Sequence, residues 1–562
     1  MDVLSIIGMI LLIVLALAII GVGILFIYDK FFQKKNLVMA NFPVIGRFRY
    51  VAHELRPFFR QYFGDDDSFS PRIIIDWIIH VASGKNGYFS FDKFDSTREL
   101  HDGHHQMIHS ANPLNKDEMK PVFPLVGKNR KNPFQFHSYF YRSAMSLGAI
   151  GFEATQAMAA AACDAKAPFN TGEGGLSVHH IPRVKFNYQK FFKYHKVPKI
   201  WKIMYKTIPS ARLKNNFIDF LGSMYCEKNK RDLYLFNKKE FLFYAINWNA
   251  PLKDFPKPKE LDDSFGHLIF QVGSGLYGLR KKTKDGSQEL DFDRFAKVAS
   301  FCRGIEIKLA QGAKQTGGIL KGVKNTPTVA ELRGVHPGVD LVSPNRFQYY
   351  QKGKEKEFFD FIEHLSSQAG DKPIGIKIVI SDESNIEPIA KEIAKNPKRG
   401  PNWITIDGGD GGSGTAPISL GILFGKPIFP ALKIANEVLK KYKVRDQLHV
   451  FASSKLYSPH SSARALALGA DAIGNARSIM IAGGCIRAGL CSGENGTCPV
   501  GLATMEKKSR KAYAQTMNKK IDQIKNYITA HNKGVIEVAS IVGVDSPHKL
   551  NSTHVGELSQ KI

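Results

Sequence analysis

Cysteine is scarce in this chain of 562 residues: there are six, and three of them fall within the stretch from Cys485 to Cys498. Three thiols cannot all pair with one another as disulfides. Acidic residues are also short, 51 Asp plus Glu against 78 Lys plus Arg, and the resulting net charge of +27 favours anionic surfaces or partners. Nucleic acid is the obvious such partner, but no zinc-finger, helix-turn-helix or base-stacking signature supports it, so none is expected. No Gly-x-Gly-x-x-Gly follows an early strand, which weighs against a doubly wound dinucleotide fold. Composition is otherwise ordinary, 43% hydrophobic and 23% charged, in a chain long enough for more than one folding unit.

One long apolar run is present. No charge falls between Asp2 and Asp29, and residues 3–28 are almost wholly apolar. Roughly twenty helical residues cross a hydrocarbon core, so the run predicts a transmembrane helix. A signal peptide is the alternative, but no basic residue precedes the run, which is also longer than an ordinary signal core. Lys30, Lys34 and Lys35 follow it, and by the positive-inside rule the N-terminus is expected outside and the remainder in the cytoplasm. A reducing compartment also suits closely spaced thiols.

From Phe265 onward short strand-like runs alternate with helical ones: Glu306–Ala310, Gly338–Val342, Gly375–Ile380, Trp403–Asp407, Leu448–Ala452 and Asp471–Ile473. Polar and glycine residues follow each strand, a pattern that predicts a (β/α)8 TIM barrel whose catalytic face is built from the post-strand loops. The last two loops of such barrels commonly hold a phosphate through backbone amides and a helix N-terminus. Here they are Ser453-Ser454-Lys455 and Gly474-Asn475-Ala476-Arg477. Cys485, Cys491 and Cys498 come next, with Pro499 after the last, a spacing that suits one inorganic cluster. A trio of small buried or loop cysteines is the plainer reading.

Upstream, residues 29–130 read as a juxtamembrane and packing region, with an amphipathic segment at Arg56–Phe63. His101, His104, His105 and His109 match no compact zinc pattern and read as a surface cluster. Ser143–Ile150 is small and apolar, as where backbone approaches a flat ligand, and Asn170–Gly175 is a glycine-rich loop holding the carboxylate of Glu173. Residues 181–260 form an insertion with 18 Lys plus Arg against 6 Asp plus Glu, interleaved with aromatics. A surface for anionic headgroups and a solvated helical decoration both fit it.

Several motifs together resemble the synthase domain of glutamate synthases, and more closely the shorter FMN-binding glutamate-synthase-family proteins. They are Met145–Gly148, Asn170–Gly175, Ile307–Lys314, the glycine run Asp407–Gly414 and Cys498-Pro499-Val500-Gly501. The resemblance covers about residues 41–544 apart from the insertion. It implies an FMN-binding barrel over residues 131–505 and a [3Fe-4S] cluster on Cys485, Cys491 and Cys498, with residues 506–562 as a helical tail. It implies the reduction of 2-iminoglutarate, formed from 2-oxoglutarate and ammonia, to glutamate. By position, Lys308 and Lys377 would face the flavin, where a cation stabilises the anionic reduced ring. Ser453, Ser454, Lys455, Gly474 and Arg477 would hold its phosphate, with Ser143, Met145, Ser146, Asp407, Gly408, Gly409 and Asn475 completing the cofactor site. Gln311, Lys314 and Arg333 would receive a dicarboxylate, and Glu173 would donate a proton or orient the imine.

Three departures from the family pattern stand out. Six residues rather than four separate Cys491 from Cys498, Ser454 replaces a glycine of the phosphate loop, and Asn345-Arg346 replaces a proline-histidine pair beside the substrate. Neither an amidotransferase domain nor the long C-terminal β-helix of a full glutamate synthase is recognisable, and there is no nicotinamide fingerprint. The expected partners are therefore a small oxo or amino acid substrate, a source of free ammonia, and an electron donor that is a separate protein or lies in the membrane. Another oxo acid as substrate and a non-enzymatic membrane scaffold are the competing readings.

Overall fold

Strands in which isoleucine alternates with a polar residue bury one face against helices and turn the other inward. Eight strands, of which the fourth to the sixth show that alternation, close a parallel barrel in chain order: β1 (Phe140–Arg142), β2 (Pro168–Asn170), β3 (His267–Val272), β4 (Gly304–Lys308), β5 (Ile374–Ile378), β6 (Trp403–Asp407), β7 (His449–Ser453) and β8 (Ala472–Asn475). Ile305, Ile307, Ile376, Ile404 and Ile406 are fully buried in the main core. Between them Glu306, Lys308, Lys377, Thr405 and Asp407 line the interior. The expected barrel is therefore the observed fold. This computed structural model describes residues 3–33, 36–52, 72–85, 106–185, 189–282, 288–312, 317–416, 424–487, 490–494 and 497–556. The segment Arg56–Phe63, His101, His104, His105 and Lys314 lie outside the described residues.

The helices in chain order are α1 (Val3–Ile27), α2 (Leu37–Asn41), α3 (Arg72–Ala82), α4 (Phe152–Asp164), α5 (Lys199–Thr207), α6 (Ala211–Tyr225), α7 (Phe292–Ser300), α8 (Pro327–Arg333), α9 (Glu355–Gln368), α10 (Glu387–Lys395), α11 (Ile428–Lys441), α12 (Pro459–Ala467), α13 (Arg477–Ala482), α14 (Lys507–Gln515) and α15 (Met517–Val542). The long α15 lies across α4, α12 and α3 and covers the barrel where β8 meets β1. Two strand assignments shift. Leu341–Val342 pairs antiparallel with Ile319–Leu320 in a side hairpin, outside the barrel. The barrel takes its first strands from Phe140–Arg142 and Pro168–Asn170, whose brevity hid them beside glycine loops.

The N-terminal end of the barrel is filled. Trp403, Phe451, Tyr141, Phe134 and Phe136 form one buried aromatic cluster, with Phe451 ring centroids 5.6 Å from Trp403 and 5.2 Å from Phe136. The hairpin of Leu125–Val126 with Phe134–Gln135 carries the two phenylalanines in. Gly375 is required by this filling, because a Cβ there would overlap the Trp403 indole.

The insertion between β2 and β3 is not simply helical. It pairs Phe192–Lys196 and Leu235–Asn237 antiparallel with Leu242–Ile246, and packs α5 and α6 on that sheet around a small core of its own. From Ile7 on, α1 exposes nearly all its large apolar side chains, and Ile7–Phe32 is long and apolar enough to cross a membrane.

Two buried histidines give the fold a pH dependence. Burial pushes His180 and His531 down to about 3. Unfolded imidazoles take up protons near pH 6.5, so between about pH 6.5 and 3 the unfolded chain binds more protons than the folded one. Stability is therefore present above that window and is lost as pH falls into it, at up to about 1.4 kcal/mol per pH unit for each histidine. Thermal melts stepped from pH 7 to pH 5 are expected to show a progressive drop in Tm, smaller in His531→Gln.

Candidate active site

The polar residues of β4, β5 and β6 meet at the C-terminal mouth. Parallel register sets Lys308 opposite Lys377 and Lys377 opposite Thr405. Two ammonium groups at one depth need separate counter-charges, and each has one. Lys308 Nζ lies 2.8 Å from Glu173 Oε1 and 3.5 Å from Gln311 Oε1. Lys377 Nζ lies 3.3 Å from Asp407 Oδ2, and that same oxygen accepts from the Gly312 amide at 2.7 Å. Burial works against the Lys377 charge, but Asp407 and Glu306 outweigh it and hold the group above its usual range. One layer deeper, Glu306 accepts from Asn170 Nδ2 at 2.7 Å, Gln271 Nε2 at 2.8 Å and Thr405 Oγ1 at 2.6 Å.

Glu173 is held by shape as well as charge. Gly273 and Gly318 press on its carboxylate from two sides, and a Cβ at either would overlap a carboxylate oxygen. Gly318→Ala is therefore expected to displace Glu173 from Lys308 and to reduce turnover about tenfold while leaving the fold intact, as steady-state kinetics and a thermal melt would separately report. Arg333, at the end of α8, is buried and donates to the Leu147 carbonyl at 2.9 Å, beside the Tyr277 ring at 5.1 Å. Burial pulls its guanidinium below the usual range, and the charge of Glu173 opposes that shift. Gln311 is half-buried at the mouth.

The loops after β7 and β8 are locked together. Asn475 Nδ2 donates to the Ser454 carbonyl at 3.0 Å, while its Oδ1 accepts from the Ser478 amide and hydroxyl at 3.0 and 2.8 Å. Ser143 Oγ is 2.9 Å from Ser453 Oγ, and Ser454 Oγ donates to Asp410 Oδ1 at 2.9 Å. Ser454 sits outside the positive-φ region, so a serine serves there without strain. The Gly408 amide donates to the Ser453 carbonyl and the Gly409 amide to the Lys426 carbonyl, tying the post-β6 loop alongside. Arg477 reaches Gly412 of that loop, Gly474 backs onto the Tyr141 ring, and Lys455 is half-exposed. Met145 and Ser146 lie across the mouth, the Met145 carbonyl accepting from Arg142 Nη2 at 2.9 Å.

The three cysteines follow α13 in a partly apolar pocket. Burial pushes Cys485 up to about 11, and the neighbouring Cys491 and Cys498 act in the same direction. Cys491 is likewise raised by burial and by Cys498, so the three thiols sit within electrostatic reach of one another. Among the described residues no three side chains converge closely enough to grip a bare metal ion, and residues 488–489 and 495–496 lie outside them. The glycine run connects this pocket to the mouth, since a Cβ at Gly414 would rest 3.5 Å from the Cys491 Cβ.

A family model described as the conserved region in glutamate synthase matches residues 74–545. The chain belongs to the glutamate synthase family. It is an oxidoreductase of the glutamate synthase type by that membership. A glutamate synthase large subunit-like protein from Bacillus subtilis, YerD, is 30% identical over 93% of this chain and 90% of its own length. An archaeal-type glutamate synthase [NADPH] from Thermotoga neapolitana is 29% identical over 45% of the chain and 46% of its own length. The ferredoxin-dependent glutamate synthase of Cyanidium caldarium is 31% identical over 47% of the chain, a match that spans only 16% of that protein. Among solved structures, the flavin-binding domain of baker's yeast flavocytochrome b2 aligns with 94% of the chain and 92% of its own, at 11% identity and a TM-score of 0.42.

Three residues of this family member's site escape sequence reasoning. Glu306 sits between two isoleucines in β4, and strict alternation there is the signal that marks it as interior. Arg142 ends β1, stacks 4.1 Å over the Phe169 ring and donates to the Asn170 carbonyl; burial pushes it down to about 9. Lys324 donates to the Cys491 carbonyl at 3.0 Å and to the Ala149 carbonyl, and burial pushes it down to about 8. Nothing local to its sequence marks it, because only tertiary packing brings it to the cysteine loop.

Proposed function

We propose that this chain is a membrane-anchored flavin and iron–sulfur oxidoreductase that reduces 2-iminoglutarate, from 2-oxoglutarate and ammonia, to glutamate. The observation that carries the reading is the pair of buried lysines, each with its own carboxylate, at the mouth of a barrel of the glutamate synthase family. The tethered loops after β7 and β8, with the Arg477 guanidinium beside Gly412 of the post-β6 loop, suit FMN by offering hydroxyls and a cation to a phosphate. Three neighbouring thiols suit a [3Fe-4S] cluster held by Cys485, Cys491 and Cys498. When bound, FMN would supply hydride to the substrate and the cluster would pass single electrons.

The chain's own residues divide the remaining work. Lys377, kept charged by Asp407 and Glu306, would face negative charge on the flavin side. Lys308 and Gln311 would bind and orient the oxo acid, with Lys314 and Arg333 as further candidates for its carboxylates. Glu173, fixed between Gly273 and Gly318, would hold a proton at its carboxylate next to the reacting nitrogen. α1 would span the membrane with the barrel on the cytoplasmic side, Lys30 lying just beyond the apolar run. Electrons would come from a separate protein or a membrane donor, and ammonia from solution or a partner.

Anaerobic purification of the full chain tests this directly. Bound flavin, measured by absorbance and release of FMN, and iron together with sulfide are expected. The reduced protein should be reoxidised by 2-oxoglutarate plus ammonia and by neither alone. Protein that takes up no flavin overturns the reading; protein that takes it up but is reoxidised only by a different oxo acid moves the substrate assignment.

A further inference from the structure

The foot of α1 is built into the protein rather than left as a free tether. Asp29 is buried and accepts from Arg47 Nη2 at 2.6 Å and from the Val44 amide at 3.0 Å, which folds the chain back after the apolar run. Ser210 Oγ, the cap of α6, donates to the Phe31 carbonyl at 3.4 Å, and the Arg212 guanidinium lies 5.2 Å from the Phe31 ring centroid. The basic insertion therefore touches the base of the apolar helix.

At this contact α6 and α14 enclose a cleft of about 300 Å³ lined by Arg212, Asn216, Lys507, Lys508 and Lys511. Lys30 at the foot of α1 is within electrostatic reach of Arg212 and Lys508. Lys511 is neutralised by Asp219 at 3.0 Å, but among the described residues Arg212, Lys507 and Lys508 have no carboxylate within ion-pair distance. Arg212 Nη1 is closed off from solvent with no hydrogen-bond partner there. α6 opens on Ser210 and Arg212 with no acidic residue in its first turn, whereas the start of α14 is capped by the Glu506 carboxylate, which accepts from the Ser509 amide at 3.2 Å, so the dipole end that favours an anion here is that of α6. Beside the cleft, α5 turns Trp201 and Tyr205 onto the insertion's core and leaves Ile200, Ile203 and Met204 exposed on another face with Lys199 and Lys206, the pattern of a helix that lies in a bilayer interface.

We propose that this cleft binds the phosphate-bearing headgroup of an anionic bilayer lipid, with the apolar face of α5 resting in the same leaflet. The proposal rests on the reading of α1 as a membrane span. An anion delivered by the bilayer would relieve the repulsion among Arg212, Lys507, Lys508 and Lys30, and would fix the insertion, and through α14 the cysteine side of the barrel, against the membrane surface.

The full chain is reconstituted in nanodiscs of phosphatidylcholine mixed with phosphatidylglycerol, then extracted, and the lipid it retains is counted by native mass spectrometry. Wild type is expected to retain phosphatidylglycerol well above its share of the mixture. The K507Q/K508Q variant, altered at two exposed positions, should lose that enrichment by about tenfold or more, while K356Q/K391Q on α9 and α10 keeps it. Equal enrichment in both variants overturns the headgroup site. Saturable binding of inorganic phosphate to the detergent-solubilised chain, with displacement of the retained lipid, would assign the cleft to a free phosphate and overturn it as well. A chain washed off membranes by alkaline carbonate would instead refute the spanning reading of α1, an outcome distinguishable from the other two.

Discussion

Lys308→Met is expected to lower kcat/KM for the oxo acid by two to three orders of magnitude. The ammonium contacts Glu173 at 2.8 Å in a buried setting, so its removal takes away that close ion-pair contact. Breaking a buried pair on one side costs about 3–5 kcal/mol, and the surviving carboxylate responds by taking up a proton. Substrate orientation and proton supply then fail together. Flavin content should stay near that of wild type, because Lys377 and the loops after β7 and β8 are untouched. Lys308→Arg keeps the charge but changes its shape, and partial recovery is expected. A Lys308→Met protein with unchanged kcat/KM and full flavin would remove this pair from the reaction. Lys377→Met should act differently: Asp407 and Glu306 lose their shared counter-charge, so flavin content or flavin potential shifts before substrate affinity does.

The second large effect concerns iron. Cys491→Ser is expected to abolish the cluster, with iron and sulfide falling to background in anaerobically purified protein and the visible shoulder beyond the flavin bands disappearing. A cluster with only three thiolates has no spare ligand, and serine is a poor substitute for a soft metal. Flavin should remain, since the loops after β7 and β8 are tied to one another through Asn475, Ser454 and Ser478 rather than through Cys491. Reduction by dithionite followed by oxo acid and ammonia would then still turn over once, whereas steady turnover with an external one-electron donor would stop. Iron retained in Cys485→Ser, Cys491→Ser and Cys498→Ser alike would sink the assignment of these ligands.

Much of this was legible in the sequence, for reasons that can be stated residue by residue. β4 and β6 alternate isoleucine with polar residues, and the repeated succession of short strand, polar or glycine loop and helix is what marks the barrel. The loops Ser453–Lys455 and Gly474–Arg477 stand out because polar residues directly follow apolar strands. Lys308, Lys377 and Asp407 lie in such strands, but their place at the site comes from the family resemblance rather than from the pattern. The first two barrel strands, of three residues each, are too short for any periodicity to register. Leu341–Val342 carries the right residues yet pairs elsewhere, because what a short apolar run pairs with is decided by tertiary partners. Lys324 and the cleft between α6 and α14 were invisible for the same reason: Arg212 and Lys508 are far apart in the chain and meet only after folding.

The foot of α1 has been described as a packing contact, and it also fixes a direction. Asn41 of α2 donates to the carbonyl of Pro499, directly after Cys498, at 2.7 Å. At the other end of the barrel axis the rings of Trp403, Phe451, Phe136 and Phe134 fill the interior as one buried cluster. The barrel is thus a blind tube. If the proposed reaction holds, ammonia, oxo acid and product would all use the C-terminal mouth rather than a route along the axis from a partner at the filled end. A nitrogen-supplying partner would have to dock on the loop side, in competition with whatever delivers electrons.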